Sequence, residues 1–378
     1  MFHLTPSRNN HKRTGDAMIN FKKIYVRCLT CALALVFIGG TFVSLIAGEA
    51  INLRTGTSYD NLQQAIDNAI SDDILQLTGI FSGSFQILEK SLTLQGTSND
   101  PMQAGDILSG NQNDRVLEIK GTSSENPSTV NLKNLAIING WATGTSNYGG
   151  SGGGILAVYT TLTVTDLYIA NNRADTSGGG IAALYTTLKI QSSAISGNTA
   201  ATGGGVNNLI CDTIISDSII SSNTVTQDGG GGILSNGNRT GTSSLVITYT
   251  IITGNQSVIA GGGLFNSLLS ITKCTNCHFT SNTAVVGGGI YNAESLSFNN
   301  GLIIRNSTIS SDLYLPNGGG VYNSASASSA TFSNSTIEEN SAVDNGNGGG
   351  IYNATKQEKL DIVNTQIINN TPDNIYQQ

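Results

Sequence analysis

The sequence predicts an all-β chain wound into a parallel solenoid, and three observations carry that prediction. A glycine triplet followed by an aliphatic residue occurs eight times, ending at Gly154, Gly180, Gly205, Gly232, Gly263, Gly289, Gly320 and Gly350. A second landmark keeps step with it, an Ile or Phe three residues before an Asn or Asp. Its members are Ile169/Asn172, Ile195/Asn198, Ile220/Asn223, Ile252/Asn255, Phe279/Asn282, Ile309/Asp312, Ile337/Asn340 and Ile367/Asn370. The third observation is the period, 25 to 31 residues between successive triplets. A unit that short cannot bury its own apolar face, whereas stacked units can.

Within a unit the pattern is that of strands. Val164, Ile190, Ile215, Ile247, Cys274, Ile304, Phe332 and Ile362 all lie eight residues before the Asn or Asp. Between the two landmarks stand Asp, Asn, Ser and Thr, which favour bends over helices. Short β-branched runs bounded by Gly and Asn read as strands. Coils would lie about 4.8 Å apart with like residues above like. The residues after the triplets (Ile155, Ile181, Val206, Ile233, Leu264, Ile290, Val321 and Ile351) should form one inward ladder. The Ile or Phe before each Asn should form another. The Asn side chains are expected to hydrogen-bond along the stack. The glycines are read as corners, because they permit φ > 0 and close packing.

Taken in order, residues 1–50 read as an N-terminal extension with an export signal. Lys22, Lys23 and Arg27 precede the uncharged, apolar run Cys28–Ala47, and Gly48-Glu49-Ala50 offers small residues for cleavage. The run is also long enough to be an uncleaved anchor. Both outcomes place the chain outside the cell or on its surface. Residues 51–119 are read as a cap with irregular first coils. Ser58–Ile70 is the helix candidate, with Leu62, Ala65, Ile66, Ala69 and Ile70 on one face and Asp60 as N-cap. The runs Asp72–Leu77, Ser91–Leu94 and Arg115–Ile119 alternate as strands. Residues 120–378 are the regular repeats, one domain with the cap. The last coil ends at Asn370, so an exposed strand edge open to self-association is expected there.

Composition narrows the function. Charged residues are 11% of the chain and its net charge is −7. Six of the basic residues lie within residues 1–50, so the remainder is more acidic still. An acidic surface argues against nucleic acid as a partner.

The repeats GGG-[ILV] and [IF]-x-x-N resemble the GGA-[ILV] and F-x-x-N repeats of chlamydial-type polymorphic outer membrane proteins. Phe279-Thr280-Ser281-Asn282 matches the second literally. Tyr59–Leu77, with its Ala-Ile-Asp-Asn-Ala helix, resembles the opening of right-handed parallel β-helices of the pectin-lyase-like superfamily. The resemblance implies a right-handed parallel β-helix with a short N-terminal capping helix. It also implies either a surface-displayed adhesive role or a polysaccharide lyase or hydrolase activity, since the fold carries both.

Of these, the residues favour the non-catalytic role. A lyase or hydrolase needs convergent carboxylates, with Arg or Lys for a lyase. Asp166, Asp212, Asp217, Asp228 and Asp312 mostly occupy positions held by Asn, Ser or Thr in other repeats. No catalytic residue, cofactor or metal is assigned. Cys274-x-x-Cys277 invites a metal or redox reading, but Cys274 aligns with core positions such as Val164. A disulfide among Cys211, Cys274 and Cys277 would leave one thiol over.

One candidate binding surface emerges. Two residues after the triplet stand Leu156, Ala182, Asn207 and Leu234 in the first four repeats, then Phe265, Tyr291, Tyr322 and Tyr352. Next to the rings stand Asn266, Asn292, Asn323 and Asn353. Alternation turns the rings outward. The expectation is an aromatic stripe with an amide row beside it, suited to a host-surface glycan or protein. The competing expectation is that the rings only stack on one another.

Overall fold

The computed structural model describes residues 47–97, 106–144, 148–238, 240–293, 301–305, 308–310, 313–324, 329–342, 346–354 and 359–378. For 301–305, 308–310 and 313–316 the backbone alone is described. The expected export segment, except Ala47–Ala50, lies outside these residues, as does Asp312.

The chain winds through four sheets in turn, and each central coil adds one strand to each. In one repeat these are Ile155–Val158 in a triplet sheet, Thr160–Thr165 in a long sheet, Tyr168–Ala170 in a landmark sheet and Arg173–Ala174 in a short sheet. Successive coils pair in parallel with matching register. Ile155 sits beside Ile181, Val206 follows, and the column continues through Ile233, Leu264, Ile290, Val321 and Ile351. All eight side chains are fully buried. Ile169, Ile195, Ile220, Ile252, Phe279 and Ile337 make the second buried column, and Ile309 keeps its register. This is a parallel β-helix.

Each glycine of a triplet has its own reason. Gly178 adopts φ +64 at the corner. A Cβ on Gly179 would sit 2.6 Å from the carbonyl oxygens of Gly204 and Thr199. One on Gly180 would sit 2.6 Å from that of Gly205. The chain therefore packs backbone on backbone there, both within a coil and between coils.

The landmark asparagines form a buried ladder. Asn198 Nδ2 donates to Ile169 O and to Asn223 Oδ1, at 3.0 and 2.9 Å. Its Oδ1 accepts from both the backbone N and the Nδ2 of Asn172, each at 3.0 Å. All four capacities of the amide are used, which is what makes a buried Asn tolerable.

The N-terminal end differs from expectation in three ways. The fold begins before residue 51: Ala47 bridges Ile80, and Glu49–Asn52 pairs antiparallel with Asp73–Thr78, with Ala50 fully buried. Helix α1 spans only Leu62–Asn68. Its N-cap is Asn61, not Asp60, and the Asn61 side chain accepts from Gln64 N. Thr57–Tyr59 is a strand, and Ile70 is 57% exposed because the helix ends before it. Leu62, Ala65, Ile66 and Ala69 do join the core. The first coils are also more regular than expected, since Asp73–Thr78, Leu92–Gly96 and Ser128–Lys133 continue the long sheet in parallel.

The last coil carries a further strand beyond Asn370. Ile375–Gln377 pairs in parallel with Ile351–Asn353. Inward positions of this coil, Leu360, Ile362 and Ile367, are only partly buried.

Candidate functional site

The triplet sheet places the aromatic residues. In Ile290-Tyr291-Asn292 the strand sends Ile and Asn inward and Tyr outward. The same holds at Leu264–Asn266, Val321–Asn323 and Ile351–Asn353. Register then sets Phe265, Tyr291, Tyr322, Tyr352 and Tyr376 in one outer column. Phe265 meets Tyr291 edge-on, with centroids 5.0 Å apart and an interplanar angle of 88°. From there the rings are stacked: Tyr291–Tyr322 at 5.1 Å, Tyr322–Tyr352 at 4.9 Å and Tyr352–Tyr376 at 5.1 Å. Phe265, Tyr291, Tyr322 and Tyr376 are half-buried, and Tyr352 is 7% exposed.

This stacking covers the ring faces and leaves edges. Tyr352 uses its hydroxyl on Gln378 Oε1 at 3.0 Å. Burial, then the neighbouring Tyr291 and Tyr352, raises the pKa of Tyr322. Burial and then Tyr376 do the same for Tyr352. Both phenols stay neutral, and that of Tyr352 is already engaged with Gln378.

The asparagines are not where a ligand would meet them. Asn266, Asn292, Asn323 and Asn353 are fully buried inside the coil. The expected outer amide row is therefore corrected: alternation that turns Tyr outward turns its Asn neighbour inward. There the amides form a second ladder, Asn266 Nδ2 to Asn292 Oδ1 at 2.7 Å, Asn292 to Asn323 at 2.8 Å, and Asn323 to Asn353 at 2.8 Å. Asn353 passes it to Gln377 at 2.6 Å. Leu156, Ala182, Asn207 and Leu234, the earlier members of the outer column, are buried as well.

Two aromatic groups were not singled out from the sequence. Tyr376 has no glycine triplet before it, although Ile375-Tyr376-Gln377 repeats the Ile-Tyr-amide pattern. Tyr159 and Tyr185 stack at 5.2 Å on the first regular coils. Their signal was the Ile155/Tyr159 and Ile181/Tyr185 spacing. On the short sheet, Arg173 lies 4.6 Å over the Trp141 ring, and Trp141 Nε1 donates to Asp175 Oδ1 at 3.0 Å.

The carboxylates follow backbone needs. Asp166 and Asp217 stand in a column of turn residues with Ser192, Tyr249, Asn276 and Asn334, all at φ near +50. Asp is among the few non-glycine residues suited to that conformation. A groove of about 430 Å³ beside Tyr185 holds Asp212, and one of about 670 Å³ holds Arg173 and Asp175. Each gathers a single carboxylate, short of the pair that glycoside hydrolysis requires.

Cys211, Cys274 and Cys277 are buried thiols. Burial pushes Cys211 up to about 12, and pushes Cys274 well above the ordinary thiol value. Metal binding needs thiolates, so this environment works against it. Among the described residues no three His, Cys, Asp or Glu side chains come together.

Fold and face together define the class, a parallel β-helix with an aromatic ladder on its outer surface. No protein-family model matches the chain, and no curated protein matches it. Among solved structures it is similar to an alginate lyase from Paenibacillus sp. str. FPU-7, at 14% identity and a TM-score of 0.38. That likeness covers 81% of this chain and 96% of the lyase. ORF18 of Geobacillus virus E2 is similar at 10% identity and a TM-score of 0.31, over 82% of this chain and 56% of that one. Neither likeness bears on activity.

Proposed function

We propose that the protein is a non-catalytic binding scaffold, secreted or displayed on the cell surface, that holds an elongated glycan along the outer triplet sheet. One observation supports this reading: the column from Phe265 to Tyr376 runs along the coil axis with rings 4.9 to 5.1 Å apart, and all its members but the buried Tyr352 are partly exposed. An extended ligand lying along that axis would meet the ring edges of Phe265, Tyr291, Tyr322 and Tyr376 in turn, with the buried Tyr352 bridging the stack between them. The contact would be to edges and hydroxyls, since the faces are already stacked. Partly exposed aromatic stripes on an outer face are candidate interaction surfaces. The resemblance to surface-displayed adhesive repeats belongs to the same reading, as does export through the N-terminal segment.

A Tyr291→Ser/Tyr322→Ser double variant tests it. Binding to a glycan panel and to host cells should fall at least tenfold, with a small change in melting temperature. Undiminished binding, or a collapse of the fold, would show that the stack serves the scaffold alone. Retention on protein-coated but not glycan-coated surfaces would move the ligand to the protein class.

A further inference from the structure

We propose that Cys274 and Cys277 close an intramolecular disulfide across the turn at Asn276 when the chain meets a small-molecule disulfide such as oxidised glutathione. Cys274 is the inward residue of strand Ser270–Thr275 and is fully buried. Asn276, at φ +56, turns the chain. Cys277, just past it, is fully buried as well. Two residues three apart in the chain thus both enter the core, as Ile247 and Thr250 do one coil earlier.

The thiols converge. Cys277 Sγ lies 3.4 Å from the carbonyl oxygen of Ile247, and Ile247 is the rung partner of Cys274. After burial, the neighbouring Cys277 is what raises the pKa of Cys274 further. Cys211 has no such access. Its thiol faces Leu209 O at 3.3 Å, and its coil is separated from that of Cys274 by the strand Ser243–Thr248. Two coils are about 10 Å by the usual strand spacing. Disulfides form only when Cα atoms lie within about 7 Å. The three-cysteine ambiguity therefore resolves to one pair and one lone thiol.

The chemistry balances by two exchanges. One protein thiolate attacks the external disulfide, forming a mixed disulfide and releasing one glutathione thiol. The second protein thiolate then attacks the cysteine sulfur of that mixed disulfide, so the Cys274–Cys277 bond forms and the other glutathione leaves as thiolate. Two protein thiols are oxidised, one external disulfide is reduced, and the two thiol protons pass to the departing glutathione thiolates. Burial keeps Cys274 protonated, so exchange proceeds through transient opening of the coil and takes hours.

Peptide mapping tests this. The folded full-length protein is incubated with oxidised glutathione, denatured, alkylated without reductant and digested with trypsin. Cleavage after Lys273 and Arg305 yields one peptide containing Cys274 and Cys277 and no other cysteine. It should carry no alkyl group and be two hydrogens lighter than the reduced peptide, while Cys211 is alkylated. In Cys277→Ser, which places Ser where Ser193 and Ser218 stand, Cys274 should be alkylated or carry a single glutathione. Two alkyl groups on the wild-type peptide, a persistent glutathione adduct, or a cross-link to Cys211 would each overturn the proposal. Circular dichroism before digestion confirms that variant and wild type are equally folded.

Discussion

Gly180 and Asn198, the two landmarks of one repeat, lie against each other: a Cβ on Gly180 would come within 3.1 Å of Asn198 Nδ2. It would also stand 2.6 Å from Gly205 O. The triplet and the asparagine are thus halves of one packing device, in which a bare backbone makes room for an amide ladder. Gly180→Ala should push the coils apart and cost about 1–3 kcal/mol, the usual range for overpacking. Gly254→Asn is the control. Its column holds Asn171 and Asn369 at the same positive φ, and its surroundings are open. Chemical denaturation of both variants reads the difference, and equal loss would remove the steric explanation.

Thr213 and Thr272 occupy equivalent inward positions, two rungs apart. Thr272 Oγ1 donates to Asn266 Oδ1 at 2.9 Å, whereas Thr213 Oγ1 and both amide atoms of Asn208 have no protein partner. Thr272→Val should therefore cost about 1–2 kcal/mol, leaving the Asn266 oxygen short of a donor. Thr213→Val removes a hydroxyl with no protein partner and should be neutral or stabilising. A comparable loss in both would mean that ordered water already satisfies Thr213.

Asp73 ties the N-terminal strand to the coil stack. Arg54 bonds to both its oxygens, and Asn52 and the Ile70 amide each add another bond. The Arg54 hydrogen bond leads in holding the carboxyl well below the usual carboxylate range. A depressed folded pKa stabilises at pH above the unfolded value, near 3.9, and that stability is lost as pH falls towards the folded value. The melting temperature should drop on acidification below about pH 4. Asp73→Asn should start lower and lose this part of the drop. An unchanged acid profile in the variant would assign acid sensitivity to other carboxylates.

Ile290 tests the ladder itself. It is fully buried between Leu264 and Val321. Ile290→Asp should cost several kcal/mol, since no partner waits for the charge. Ile290→Val should cost about 0.5–1.5 kcal/mol. Similar, small losses for both would mean that the coil yields locally rather than holding register.

Much of the fold could be read from residue order. Ile155 and its seven counterparts recur every 25 to 31 residues, and a repeat too short to bury itself must stack. Period, inward ladders and corner glycines all follow from that. The helix was read too long because Ile70 continues the apolar spacing. Its fate depended on the chain turning at Asp72, just before Asp73, whose partners Asn52 and Arg54 lie at and just past the end of an earlier strand.

The sequence by itself determined which residues face the core, because strand alternation and repeat period are local properties. Only the tertiary structure decided what the outward residues do. Tyr291 and Tyr322 point outward by alternation alone. Coil spacing then brings them close enough to stack, leaving edges rather than faces to solvent. The same spacing closes the inner amides Asn292 and Asn323 into a buried ladder. Contacts between coils depend on rise and register along the axis, which no single repeat contains.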